Sequence, residues 1–301
     1  MRGLGWCASA ISILSILSAG AIAKASPQAV PRPPAESGDA AMETVLVEAQ
    51  RLRELQRQVS TFVSAITIHN RADSIARWQL PICPLVAGLS FEQGTFVFQR
   101  VSQVASAAGI PLDADDCRPN LLVVMTDEPE ELIRRWWGNR PQLFNRDRGV
   151  GGIERTIRTD APVRVFYNAC SVPAPGMPNN FAAGDLICGG GKIGSKLKRG
   201  AIRAIYSVIV VVDKKQTNTR ELGALTDYIA MIALAQVSRG FDSGPGDVPT
   251  ILRLFEETDA ARPQALSKWD QAFLKSLYDV DPVNTKQKSQ IQGAMVRDLA
   301  R

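Results

Sequence analysis

The run Ala201–Val212 constrains the fold more than any other stretch of the chain. Its residues are almost all apolar and strongly β-branched, so it reads as a strand, and a strand with no polar face is one covered on both sides. A second segment of the same character follows at once. Leu222, Leu225, Tyr228, Ile229, Ile232 and Ala233 form the main face of a helix over 220–237, while Ala224, Ala230, Met231 and Ala235 leave it little polar surface. Asn218 and Glu221 have the spacing of a capping box, which predicts where that helix starts.

Other elements are read in the same way. Thr44–Val47 suggests a short strand, and from Ala49 onward Leu52, Leu55, Val59, Phe62 and Ile66 recur at three- and four-residue steps, one stripe of an amphipathic helix that lies on its own core. Arg77–Pro84 holds two prolines, a cysteine and a tryptophan, and predicts a fixed extended segment. A helix over 94–108 with Phe98, Val101, Val104, Ala105 and Ala108 on one face ends at Gly109, and a buried strand follows over 120–125. Asp127 and Glu130 predict a second capping box for a helix carrying Leu132, Ile133, Trp136 and Trp137. Residues 144–159, rich in Arg and Gly, read as a surface loop, and 161–169 as a strand with Val163, Val165 and Tyr167 alternating with Arg164, Phe166 and Asn168. Pro249–Phe255 predicts a short helix with Asp247 near its start. Two further helices carry Trp269, Phe273 and Leu277, and Ile291, Met295 and Leu299, the first opened by Ser267 and Asp270. Strands interspersed with helices at mixed spacing, with no internal repeat, predict one α+β domain over 44–301 built on a mixed sheet with several packed helices.

The first residues are outside this plan. Arg2, the apolar run Leu4–Ala19 and the small residues Ala21, Ala23 and Ala25 have the pattern of an export signal over 1–25, so the mature chain is expected to begin at Lys24 or Ser26. Residues 26–43, with Pro27, Pro31, Pro33 and Pro34, read as a flexible leader. No later apolar run reaches the roughly 18 residues of a spanning helix, so no transmembrane segment is expected after cleavage, and a periplasmic or secreted location follows. Such a compartment oxidises thiols. Cys83, Cys117, Cys170 and Cys188 are then expected as two disulfides, with Cys83–Cys117 and Cys170–Cys188 the simplest pairing.

Several chemistries are disfavoured. The formal charge of +5 over 301 residues drops by two with the signal, and the basic residues are scattered among acidic ones, which gives no support to nucleic-acid binding. No two of the four cysteines have zinc-ligand spacing, and His69 is the chain's one histidine, so no metal site, no cofactor and no Ser-His-Asp set is expected. Gly189–Lys196 is glycine-rich, but Ile193 follows Lys192 where a phosphate loop needs Ser or Thr. Of the carboxylates, Asp227 stands on the buried helix, where a charge must be paired or functional, and with Tyr228 it is the candidate site.

The order strand 201–212, helix 220–237, loop 240–247 and then Pro249–Phe255 is similar to the core of zincin metallopeptidases. Thr226-Asp227-Tyr228-Ile229-Ala230 stands where that family has His-Glu-x-x-His, with an acid at Asp227 and no metal ligand. The chain as a whole resembles uncharacterised exported proteins of Gram-negative bacteria through Arg77–Pro84, Cys117–Asn120 and Trp269–Leu274, which implies the periplasm or cell exterior and no particular activity. The expected function is non-catalytic binding of a protein or envelope component through the Pro/Gly-rich loop 171–191. The alternative is an envelope hydrolase on a degenerate zincin-like scaffold or one using paired carboxylates.

Overall fold

In a computed structural model of the chain, the strand predicted at 201–212 is β5 (Ala201–Asp213), and it is the middle of the sheet. The residues described are 37–68, 74–144, 149–174, 198–238, 248–256 and 261–301. Residues 47–301 form one compact unit, to which the following paragraphs refer. Along one edge β5 pairs in parallel with β1 (Arg77–Trp78) and β3 (Leu121–Thr126), and β3 in turn pairs in parallel with β2 (Pro84–Ala87). Along its other edge it pairs antiparallel with β4 (Val163–Pro173), with a register shift at Asn168/Ala169. The sheet is therefore mixed and the fold α+β, as its spacing predicts.

The two faces of β5 enter different cores. Val208, Val210 and Val212 join the larger one with Leu121, Val123 and Met125 of β3, beneath α2 (Phe91–Ala107), α6 (Leu222–Leu234), α7 (Lys268–Asp279), α8 (Gln287–Leu299) and the apolar stripe of α1 (Ser37–Ile66). Ile209 and Val211 face the opposite way and meet Ile133 of α3 (Pro129–Asn139), Phe144, and Ile153 and Ile157 of α4 (Gly149–Ile157). Helices on both faces are what an unbroken apolar strand requires.

Five local expectations are corrected. Residues 44–47 lie within α1, which already begins at Ser37 inside the predicted leader; the prolines that suggested a leader end at Pro34, and 1–36 lie outside the described residues. In α2 the buried stripe runs through Val97, Val101, Val104 and Ala105 and leaves Phe98 exposed, and a capping box of Ser90 and Gln93 starts the helix at Phe91, earlier than Gly94. The expected loop 144–159 contains α4, since Ile153 and Ile157 are one helical turn apart and pack under β4 whatever the surrounding Arg and Gly content. Asp127 caps nothing: Glu128 holds the cap position of α3 and Pro129 its first turn, while Asp127 and Glu128 pair with Lys214 at 3.0 Å and Lys215 at 2.7 Å, because parallel β3 and β5 end side by side. Asn218 and Glu221 likewise form no box. Asp213 caps a short helix, α5 (Lys214–Thr217), and α6 starts at Leu222 with no side-chain cap.

The β2–α2–β3 unit is closed at its base. Cys83 and Cys117 form a disulfide with Cα atoms 6.0 Å apart, and Asn120 clamps the same place, accepting from the Cys83 amide at 2.8 Å and donating to the Pro81 carbonyl at 2.9 Å. At the other end Gly88, with φ of +85°, turns the chain so close to β3 that an added Cβ would lie 1.9 Å from the Met125 carbonyl oxygen. Cys170 is also in a disulfide, but the predicted Cys170–Cys188 pairing lies outside the described residues with Cys188 itself. In the chain-entropy view the Cys83–Cys117 bridge acts mainly by restricting the unfolded chain. With its halves 34 positions apart in sequence, its removal in a Cys83→Ser, Cys117→Ser variant is expected to cost about 3–4 kcal/mol, and urea unfolding of the two proteins measures it.

Candidate functional site

Helix α6 presents the two candidate residues in different directions, since neighbouring helical positions are turned about 100° apart. Asp227 is buried, 1 % exposed, in the larger core. Its two oxygens accept from Nε and Nη2 of Arg100 in α2 at 2.6 and 2.8 Å, and Oδ2 also accepts from the Leu266 amide at 2.8 Å. This is a bidentate ion pair between two helices, with the segment leading to α7 tied to the same carboxylate. The Arg100 side chain keeps 37 % of its surface exposed, and the facing carboxylate holds its guanidinium above the ordinary arginine range, against the opposing effect of partial burial. Asp227 thus meets a cation and a backbone amide, and the bidentate contact holds the Arg100 side chain in place. The partner of the predicted acid, Arg100, carries no distinguishing signal in the sequence, where it stands between Phe98 and Val101 as one charge on an amphipathic helix.

Arg100 opens onto a groove of about 630 Å³ between α2, α7 and the end of α8. Its floor is apolar, with Val104, Ala108, Ala272 and Leu299, and Lys268, Lys275 and Arg301 stand around it with one acid, Asp298, which lies 3.3 Å from Lys275 and 4.0 Å from Arg301.

Tyr228 faces a second cavity. Its ring meets Phe255 edge-on at 5.0 Å, and both line a cleft of about 350 Å³ bounded by β4, the end of α4 and the 252–256 segment. Asp247 lies outside the described residues, and the turn Ile251–Arg253 is capped by Thr250, whose hydroxyl accepts from the Leu252 amide at 3.2 Å and donates to Asp270 at 2.6 Å. Asp270 is fully buried and also accepts from the Ile251 and Ser267 amides, each at 2.9 Å, so that it completes the expected α7 capping box and ties that helix to the turn. Burial pushes its carboxyl above the usual range, against the pull of those donors.

Among the described residues no group of three or more His, Cys, Asp or Glu is placed to hold a metal ion. His69, the glycine-rich 189–196 and the loop 171–191 beyond Ala174 lie outside the described residues. No described helix is long and apolar enough to cross a membrane. No protein-family model, curated protein or solved structure matches the chain.

Two outcomes test these assignments. Arg100→Met leaves Asp227 buried without its cation and is expected to destabilise by about 2–3 kcal/mol, less than for a fully buried pair because Arg100 retains water contact. Asp227→Asn in the Arg100→Met background should recover part of that loss, which a double-mutant cycle in urea reads directly. For Asp270 the sign follows from its raised value. Between the folded pKa and 3.8 the folded state holds a proton that the unfolded state has lost, so this group's penalty is full above the folded pKa and is relieved as pH falls through the window. Asp270→Asn removes that component, and the difference in stability between the two proteins should therefore change with pH across the window and be flat above it.

Proposed function

We propose that the chain is an exported binding protein of the envelope or cell exterior, without catalytic activity, that receives an acidic, amphipathic segment of a partner in the groove at Arg100. The observation that carries the reading is the locking of Arg100 by Asp227 at the edge of an apolar-floored groove with three more cations around it. A guanidinium fixed from behind loses little side-chain freedom when it engages a carboxylate, and lysines at the rim add attraction and orientation. The apolar floor gives a partner helix or strand area to bury, which charge alone does not supply. The Cys83–Cys117 bridge supports an oxidising compartment and so agrees with the export pattern of the first residues.

The hydrolase alternative needs a carboxylate facing a second one or a metal, and Asp227 is instead spent on a cation and an amide. The binding reading predicts that a fluorescent amphipathic peptide alternating Glu with Leu binds the purified protein with an affinity that falls as salt rises, whereas its Lys counterpart does not bind. Reversing Lys268 and Lys275 to Glu together is expected to weaken the acidic peptide about tenfold, each rim charge contributing about 0.5–1 kcal/mol. Equal binding of both peptides by anisotropy, or no effect of the reversal, would overturn the proposal.

A further inference from the structure

The basic groove at Arg100 has its complement on the same chain. Between α2 and β3 the run Leu112-Asp113-Ala114-Asp115-Asp116 is exposed at every position, Leu112 included at 41 %. None of its three carboxylates forms an ion pair among the described residues, and only that of Asp113 is engaged, accepting from the Ala114 amide at 2.9 Å. The run is pinned on both sides. The Pro111 carbonyl accepts from the Ile82 amide at 2.9 Å, the Asp113 amide donates to the Ile82 carbonyl at 3.0 Å, and Cys117 is bonded to Cys83. Acids and apolar side chains held in one shape in this way dock with little ordering cost. The same contacts tie the run to the start of β2, and none of its residues lines the chain's own groove.

We infer that the groove receives this run from a second copy of the chain, so that the protein is a reciprocal homodimer. The inference rests on the reading of the groove as a site for an acidic, amphipathic segment, and it names that segment. Charge complementarity carries it. Lys268 has no ion-pair partner among the described residues, and Lys275 and Arg301 share one acid, Asp298, at 3.3 and 4.0 Å, so the rim keeps an excess of positive charge. Asp115 and Asp116 of the second copy answer that excess, while its Leu112 and Ala114 meet the apolar floor of Val104, Ala108, Ala272 and Leu299. Two copies related by a two-fold axis exchange run for groove in both directions. Neither feature is then left open, and a self-complementary contact of this kind closes at two subunits.

Sedimentation velocity of the purified protein over a concentration series tests the inference. The wild type is expected to pass from monomer to dimer as concentration rises, with an affinity that falls about tenfold or more between low and high salt. Asp115→Lys with Asp116→Lys, and separately Lys268→Glu with Lys275→Glu, should each abolish the dimer; all four side chains are exposed, so both variants keep the fold. An equimolar mixture of the two variants should dimerise again, because the lysines of one run meet the glutamates of the other groove and the unaltered run meets the unaltered groove. Excess Glu-Leu peptide should dissociate the wild-type dimer. A wild type that stays monomeric up to millimolar concentration while still binding that peptide overturns the second copy as occupant and leaves the groove to an acidic segment of another protein. A dimer indifferent to either reversal, or a mixture that stays monomeric, overturns the inference as well. Equal binding of the Glu and Lys peptides is the separate result that overturns the groove reading and this inference with it.

Discussion

The structure depends on the burial of β5 along both faces and both edges. Thirteen residues long, it has β1 and β3 on one side and β4 on the other; along 208–212 its alternate side chains feed two separate cores, while Ile202 and Ala204 join a smaller third cluster with Cys170, Val172 and Ala174. A strand in that position has no tolerance for register slip, because a shift of one residue would exchange the residues of the two cores and move every neighbour with them. Val and Ile at both phases of the alternation make the strand able to lie between layers, but they do not by themselves choose the register. The cores' differing partners do: three aliphatics of β3 on one face, and the aromatic pair Phe144 and Phe166, 4.9 Å apart, on the other.

The helices above the sheet are held by polar ties at their ends as well as by packing. Arg77, next to β5, donates to the carbonyls of Leu277, Tyr278 and Val280 and so closes the C-terminus of α7 with a positive charge, where the helix dipole favours one. Trp78 donates to the Ala233 carbonyl at 3.0 Å, and the Tyr278 hydroxyl donates to Leu234 at 2.5 Å, so the end of α6 is met from two directions. Asp270 closes the N-terminus of α7. Both ends of α7 and the end of α6 are thereby tied to segments far away in sequence. The groove at Arg100 is consequently bordered on one side by a helix restrained at both ends, α7.

The elements legible in the sequence are those whose signal is one of periodicity. The unbroken β5, the alternation of β4, the stripe of α1 and the buried α6 are set by side chains that face a core, and the core is where they are found. Caps were less legible. Ser267 with Asp270 forms its box, but Asp127 and Glu221 do not, because a side chain three residues from a backbone amide also has long-range partners, and for Asp127 a lysine brought alongside by the sheet wins. The site was half legible for a related reason. A carboxylate on an apolar helix is conspicuous, so Asp227 stood out, but its guanidinium partner lies on an ordinary amphipathic helix 127 positions away. Arg164 gave a signal that went unused: it shares a strand face with Phe166, and a face that holds a buried aromatic is not the solvent side.

Two adjacent residues of α6 connect these observations. Because Asp227 and Tyr228 point into different environments, the helix separates a basic groove from a largely apolar cleft. Charge placement then differs on the two sides for a physical reason. Arg100 is balanced by the Asp227 carboxylate and keeps part of its side chain open to water. Arg164 is 6 % exposed and meets the Thr159 carbonyl through Nη2, while its Nε and Nη1 have no partner among the described residues.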